Sequence, residues 1–478
     1  MTSNVANLKI PSTRKPVTRR QTRFMLLIYG GLALLLSLVV IVQTSSAYRT
    51  AYNLFQGIAV VNSTKVNAAE EALQRLANTS QATADYTALT SDTPLYEQAQ
   101  NDIFRNFQRY RDQMFILQSN LQSDDEKSAF TVADTYTYSR FWRHVGNLMA
   151  QRSDLTAARQ EYLFADSQLR TRIIPALQRL EALNFDAMVA AGQRAGTEIS
   201  QQVYLLAVFG IILAIGLTVL SFWLRGKVRR FLTPGIDAAL VLGWVLVLIM
   251  VFNLLALPTQ LTLMTNDAYF SISGVSRVLV EANQANRAES SAIIDSDRKA
   301  DWYKQFDDAA QSVELRICGQ PDCMQQPFTV GGSNQVNSQV VLSAQSISSA
   351  NAAAIDNINP LLARLTYGDE VAALEKARQA FVDFLAVDAT LRQKIDGGDT
   401  KSAVELNTGT AAGSSEEAFD RFVTAINDVR VVNQQTFDNI WNTQKEVLPR
   451  NQVLYGVAGY LILMGLVVVG VIHRFREL

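Results

Sequence analysis

The sequence predicts an all-α membrane protein with four transmembrane helices and two extracytoplasmic up-and-down four-helix bundles, arranged as a tandem duplication. Three observations predict it. Only 18% of the 478 residues are charged, against about 25% in average soluble chains, and the apolar residues concentrate in four stretches. The segments between them carry apolar residues at alternating spacings of three and four, the period of a helix packed in a bundle. The order of span, long polar segment and span occurs twice.

A hydrocarbon core of about 30 Å needs about 20 apolar residues in helix. Residues 24–42, 203–224, 238–257 and 453–472 meet that length without an Asp, Glu, Lys, Arg or His, and the nearest charge, Asp237, stands at the mouth of the third. Transporters and proton pumps place ionisable groups within their spans, so a transport role is disfavoured. Ser45-Ser46-Ala47 weakly resembles a processing site after the first stretch. Its 19-residue core exceeds the usual core of a cleaved leader, about 7 to 15 residues. It therefore reads as a retained anchor, with cleavage as the alternative.

Orientation follows from the basic residues beside the spans. Residues 1–23 hold Lys9, Arg14, Lys15, Arg19, Arg20 and Arg23 with no acid, the loop 225–237 holds Arg225, Lys227, Arg229 and Arg230, and the tail 473–478 adds Arg474 and Arg476 against Glu477. All three are expected in the cytoplasm, in a multi-pass protein of the plasma (inner) membrane with both termini inside. The bulk of the chain, 44–202 and 258–452, then forms two extracytoplasmic domains of 159 and 195 residues. The cytoplasmic pieces leave no room for an intracellular kinase, cyclase or nucleic-acid-binding domain, each of which needs about 50 residues or more.

After the first span, Tyr48, Tyr52, Phe55, Ala59, Asn62, Val66, Ala69, Leu73 and Leu76 form an unbroken heptad seam, and Ala268, Ile272, Val275, Leu279 and Ala282 do the same after the third. Ala51-Tyr52 with Gly57 matches Ala268-Tyr269 with Gly274 at equal spacing. Asp92-Thr93-Pro94 starts a helix whose stripe is Ile103, Phe107, Tyr110, Met114, Leu117 and Leu121. Asp124 to Lys127 is a polar break before a helix containing Phe141, Val145 and Leu148, and Ser153-Asp154 caps a long return helix. Gly397-Gly398-Asp399 plays the same part after the helix around Phe381, Phe384 and Leu385, and Ala158 and Ala403 follow the two caps four residues on. From cap to Phe185-Asp186 is 31 residues and to Phe437-Asp438 is 38. Seven residues are two helical turns and preserve the buried face. Pro327 to Asn334, with Gly331-Gly332, reads as a turn or irregular excursion in the second copy.

This pattern of span, heptad helix, Ser/Gly-Asp-x-x-x-Ala cap, return helix and span resembles the four-helix-bundle sensor domains of bacterial chemoreceptors and histidine kinases, best over 44–202 and with an insertion over 258–452. Chemoreceptors continue into a cytoplasmic signalling coiled coil, which this pattern lacks. The tandem four-span plan is also similar to the amino-acid-sensing membrane partner found in actinobacteria beside a solute-binding lipoprotein and a soluble serine/threonine kinase. The resemblance implies a sensor that detects an extracytoplasmic small solute, an amino acid among the options, or a solute-binding protein, and signals laterally to a cytoplasmic kinase. A non-signalling envelope tether or an accessory subunit of a membrane complex is the alternative. Membrane lipid and a second copy in a helical-bundle homodimer complete the expected partners, with no nucleic acid, since the net charge is −1.

Candidate chemistry is sparse. Cys318 and Cys323 bracket a Gly/Pro turn, which in an oxidising compartment closes a small disulfide loop. No catalytic motif appears, and two cysteines and the distant His144 and His473 suggest no metal or cofactor. Tyr136, Arg140 and Arg143 share a helix face that could hold a ligand carboxylate through guanidinium hydrogen bonds; the favoured alternative is that Tyr and Trp fill the seam while both arginines are solvated or paired. Arg225, Lys227, Arg229 and Arg230 are candidate contacts for a cytoplasmic partner beside their topological and lipid-binding role. Gly210-x-x-x-Ala214 and Ala239-x-x-x-Gly243 would let the second and third spans approach closely. Asn62 and Asn253 are lone polar residues on apolar faces, placed to set register or bond across helices.

Overall fold

The computed structural model describes residues 19–89, 93–228, 234–319, 323–325, 361 and 368–477. They are almost wholly helical, with no strand among the described residues. The first half contains α1 (Arg19–Gln56), α2 (Ser63–Ala88), α3 (Pro94–Gln118), α4 (Asp124–Tyr136), α5 (Trp142–Ala150), α6 (Leu155–Gln168) and α7 (Ile174–Val228). The second contains α8 (Pro234–Leu255), α9 (Leu257–Thr262), α10 (Tyr269–Ile294), α11 (Lys299–Cys318), α12 (Gly368–Asp396), α13 (Thr400–Thr408), α14 (Ser415–Asn451) and α15 (Tyr460–Glu477). Wide π-type turns join several of these without breaking the rod. Four continuous helices result, Arg20–Ala88, Leu155–Gly226, Pro234–Ile294 and Ser415–Glu477, of 61 to 72 residues. Each contains one apolar stretch long enough to cross a membrane, so the chain is an all-α, multi-pass membrane protein.

The apolar stretches belong to one compact unit, and small residues bring its helices together. A Cβ on Gly210 would stand 2.7 Å from Val247, and one on Gly243 3.2 Å from Leu463 and 3.4 Å from Leu217. The two small-residue pairs therefore do admit neighbouring spans. A backbone-to-backbone approach lies elsewhere, where a Cβ on Gly235 of α8 would meet the backbone of Gly470 in α15 at 2.9 Å. Asn253 is largely exposed on α8, with the side chain of Tyr48 from α1 beside it.

Residues 55–194 and 259–443 form a second compact unit. It holds two large apolar clusters, one around Leu73, Leu76, Ile103, Tyr110, Phe141, Leu148 and Leu177, the other around Val275, Leu279, Phe306, Phe381, Phe384, Phe422 and Ile426. They adjoin along α10, where consecutive residues divide between them: Leu279 enters the second cluster and Val280 the first. The two halves are thereby packed into each other.

The helix starts follow local chemistry. Thr93 caps α3 by accepting from the Tyr96 amide, with Pro94 in the first turn. Asp154 caps α6 by accepting from the Thr156 and Ala157 amides, and Asp399 caps α13 through the Ser402 amide. Such caps satisfy N–H groups that have no intrahelical acceptor. Ala158 and Ala403, one turn into α6 and α13, are both fully buried.

Three expectations are corrected. The heptad seam is not unbroken, because the wide turn Gly57–Asn62 inserts an extra residue, buries Ile58 and Ser63, and leaves Ala59 and Asn62 half-buried. Asp124 to Lys127 is the first turn of α4 rather than a break, held by a reciprocal cap in which Ser123 accepts from the Glu126 amide and the Glu126 carboxylate accepts from the Ser123 amide. The second return helix is interrupted, since α13 stops at Thr408 and α14 starts at Ser415, with Gly413 at φ +89° between them. α2 and α10 pair side by side, with Ser276 of α10 donating to Glu70 of α2.

Candidate functional site

The interface between the halves of this polar unit is unusually polar for a helix core. Tyr269 on α10 donates to Asn67 Oδ1 at 2.8 Å, Ser276 donates to Glu70 at 3.0 Å, and Ser290 donates to Asp85 at 2.7 Å. Across the other flank of α10, Arg277 pairs with Glu181 at 2.7 Å, Arg287 pairs with Asp166, and Arg159 pairs with Asp295. Buried polar groups of this kind are tolerated only when bonded.

At one end of this interface the pairing is incomplete, and a cavity of about 470 Å³ opens. Gln74, Arg75, Asn78, Gln81 and Asp85 come from α2, Gln98, Asp102, Arg105, Asn106 and Arg109 from α3, Asn283 from α10, Thr408 from α13, and Glu416, Phe419 and Asp420 from α14. The spacing on α2 and α3 places one polar stripe of each helix on the cavity wall. A second groove of about 590 Å³ adjoins it, sharing Thr410, Glu416 and Asp420.

Two carboxyls dominate the electrostatics. Burial pushes Glu416 up to about 8, reinforced by the negative charges of Asp85 and Asp420. Burial likewise raises Asp85 to about 6, opposed by hydrogen bonds from Ser290 and Gln81. Asp420 is also raised, by burial and then by Glu417. Of the arginines on the wall, Arg75 pairs with Glu71 and Arg105 with Asp102. Among the described residues no three His, Cys, Asp or Glu side chains converge as a metal cage.

The sequence-predicted ligand residues lie elsewhere. Arg140 and Arg143 are exposed, and Tyr136 is half-buried beneath the Arg172 guanidinium, 5.9 Å from its ring centre. None of the three lines the two cavities above. Arg140 lies within the wide turn Thr137–Phe141, with Tyr136 just before it and Arg143 just after it. His144 bonds Glu161 at 2.6 Å. Cys318 and Cys323 are joined by a disulfide at the end of α11. Arg225 pairs with Asp237 at 3.1 Å, Arg229 and Arg230 lie outside the described residues, as does the side chain of Lys227, and the Gly/Pro-rich turn at 327–334 lies outside them too.

Sequence reasoning missed the cavity, although a signal was present. The apolar stripe of α2 ends at Leu76 while the helix runs on through Asn78, Thr79, Ser80, Gln81 and Thr83 to Ala88, and α10 likewise turns to Asn283, Asn286, Glu289 and Ser290. Most of those residues are buried. Polar residues at core spacing mark a place where helices face each other across something other than hydrocarbon. Comparison with protein-family models, curated proteins and solved structures finds no match to this chain.

Proposed function

We propose that this protein is a transmembrane sensor whose polar helical unit lies outside the cytoplasm, takes a small solute or a solute-loaded binding protein, and passes the change to a separate cytoplasmic polypeptide. Basic residues beside the spans support that orientation. In this reading the halves are two copies of one plan, each a helical bundle entered from one span and left by the next.

One observation carries the reading: three of the four membrane-crossing helices also line the cavity. Gln81 and Asp85 lie on Arg20–Ala88, Asn283 on Pro234–Ile294, and Glu416 and Asp420 on Ser415–Glu477. A solute that draws these walls together acts directly on the rods that continue into the membrane. Helix shifts of about 1 to 2 Å are an established means of transmission through packed helices, and the direction of response is set by the solute's differential affinity for the two arrangements.

The test uses the full chain in intact cells. Cross-linking to cytoplasmic proteins is compared with and without added solutes, for the parent and for a variant with Arg229→Gln and Arg230→Gln that keeps Arg225 and Lys227 for orientation. Recovery of a kinase that depends on solute and falls in the variant supports the sensor. Unaltered topology with no cytoplasmic protein recovered under any condition turns the reading to an envelope tether.

A further inference from the structure

The cavity's polar groups specify the charge of what it binds, an inference that rests on the solute-sensing role above. Gln81 is 6% exposed, lines the cavity and donates its amide N–H to both Asp85 oxygens, at 3.1 and 3.2 Å, while among the described residues no group donates to its own Oε1. The same imbalance recurs behind the wall. Asn286 donates to Glu416 at 3.3 Å and Asn407 donates to Ser290 at 2.7 Å, yet neither amide oxygen receives a hydrogen bond from the described residues. Every one of these unpartnered atoms is an acceptor, so the cluster is short of donors.

The charges agree with the hydrogen-bond census. Asp102 is met by Arg105 and Arg75 by Glu71. Among the described residues that leaves Asp85, Asp420 and, above about pH 8 where it ionises, Glu416 facing the cavity against Arg109. Water would supply donors but no charge. The acidic groups do not converge as a metal cage, whereas an ammonium group with three donors and one positive charge suits dispersed oxygen acceptors. We propose that the cavity binds a small organic cation through a protonated primary amine, seated between Asp85 and Glu416 beside the Gln81 carbonyl.

Protons compete for the same carboxylates. Asp85 and Glu416 face each other, Gln81 of α2, Asp102 of α3, Tyr162 of α6, Asn286 and Glu289 of α10 and Asp420 of α14. Arg75, Arg105 and Arg109 complete the wall. Amine binding is therefore expected to weaken as pH falls from about 8.5 to 5.5, while the amine itself stays protonated.

The experiment is isothermal titration of the full-length protein in detergent with putrescine, with ornithine, which adds one carboxylate, and with glutarate, which has two carboxylates and no amine. Binding of putrescine and ornithine but not glutarate, at least tenfold weaker at pH 5.5 and at least tenfold weaker in Glu416→Gln or Asp85→Asn, is the expected result. If those variants do not fold, the pH dependence of the parent protein decides. Glutarate binding as tightly as putrescine, or amine affinity unchanged between the two pH values, overturns the amine site and leaves solute sensing standing. No heat with any of the three, together with solute-independent cross-linking in cells, removes both.

Discussion

The Arg287–Asp166 pair shows how costly an isolated change in this interface would be. Both side chains are nearly inaccessible, at 3% and 1% exposure, and Asp166 is also held by Arg170 at 2.8 Å. Removing one partner of a buried ion pair leaves an uncompensated charge and typically costs about 3 to 5 kcal/mol. Arg287→Leu is expected to lower the unfolding free energy by that order, and the double variant with Asp166→Leu to regain much of the loss. Equilibrium denaturation in detergent checks both. The buried carboxyls give an opposite pH signature from ordinary surface acids. Glu70 is raised to about 7 by burial and by Glu181, against the pull of Arg430, and Glu416 to about 8. Each binds its proton more tightly folded than unfolded, so the stability it contributes is present in full below about pH 4.5 and is lost as pH rises through 7 to 8. Thermal midpoints of the unliganded protein should fall over that interval, and Glu416→Gln should shrink the fall.

At the scale of elements, glycine placement separates contact faces from lipid faces in a way the composition of the spans does not. A Cβ on Gly235 would meet Gly470 backbone at 2.9 Å, whereas one on Gly31 would meet nothing within 4 Å. Gly235→Ala is expected to cost about 1 to 3 kcal/mol by forcing α8 and α15 apart, and Gly31→Ala to leave the thermal midpoint unchanged. The wide turns have the same importance in the polar unit. Each alters the buried face of the helix it interrupts, which is why the stripe from Tyr48 to Leu76 was legible as helix while its central residues, Ala59 and Asn62, were misplaced on it. The third stripe, Ile103 to Leu121, contains no such turn and is buried as its spacing implies through Leu117, whereas Leu121 lies past the end of α3 and is half-buried.

For the whole molecule, the proposed orientation has a direct check. The native cysteines are bridged, so single cysteines can be introduced against a silent background. Asp125 and Lys401 have exposed side chains in the polar unit. Asp125→Cys and Lys401→Cys should react with an impermeant maleimide on intact cells, and Arg476→Cys only after the membrane is opened. Labelling of position 476 in intact cells would reverse the topology and with it the sensor reading.

The sequence by itself determined the class of the protein. Four charge-free stretches of about 20 residues admit few other fates, because a backbone in hydrocarbon must satisfy its own hydrogen bonds, and caps such as Thr93-Pro94 and Asp154 act within one turn of chain. Only the tertiary structure decided what the polar residues of α2 and α10 face. Helical periodicity shows which side of a helix is covered, not by which partner. Gln81, Asp85 and Glu416 are up to 335 positions apart and become one cavity wall because α10 enters the first half's core and brings α13 and α14 against α2. The charge left over there, and the carboxyls it raises, belong to that packing.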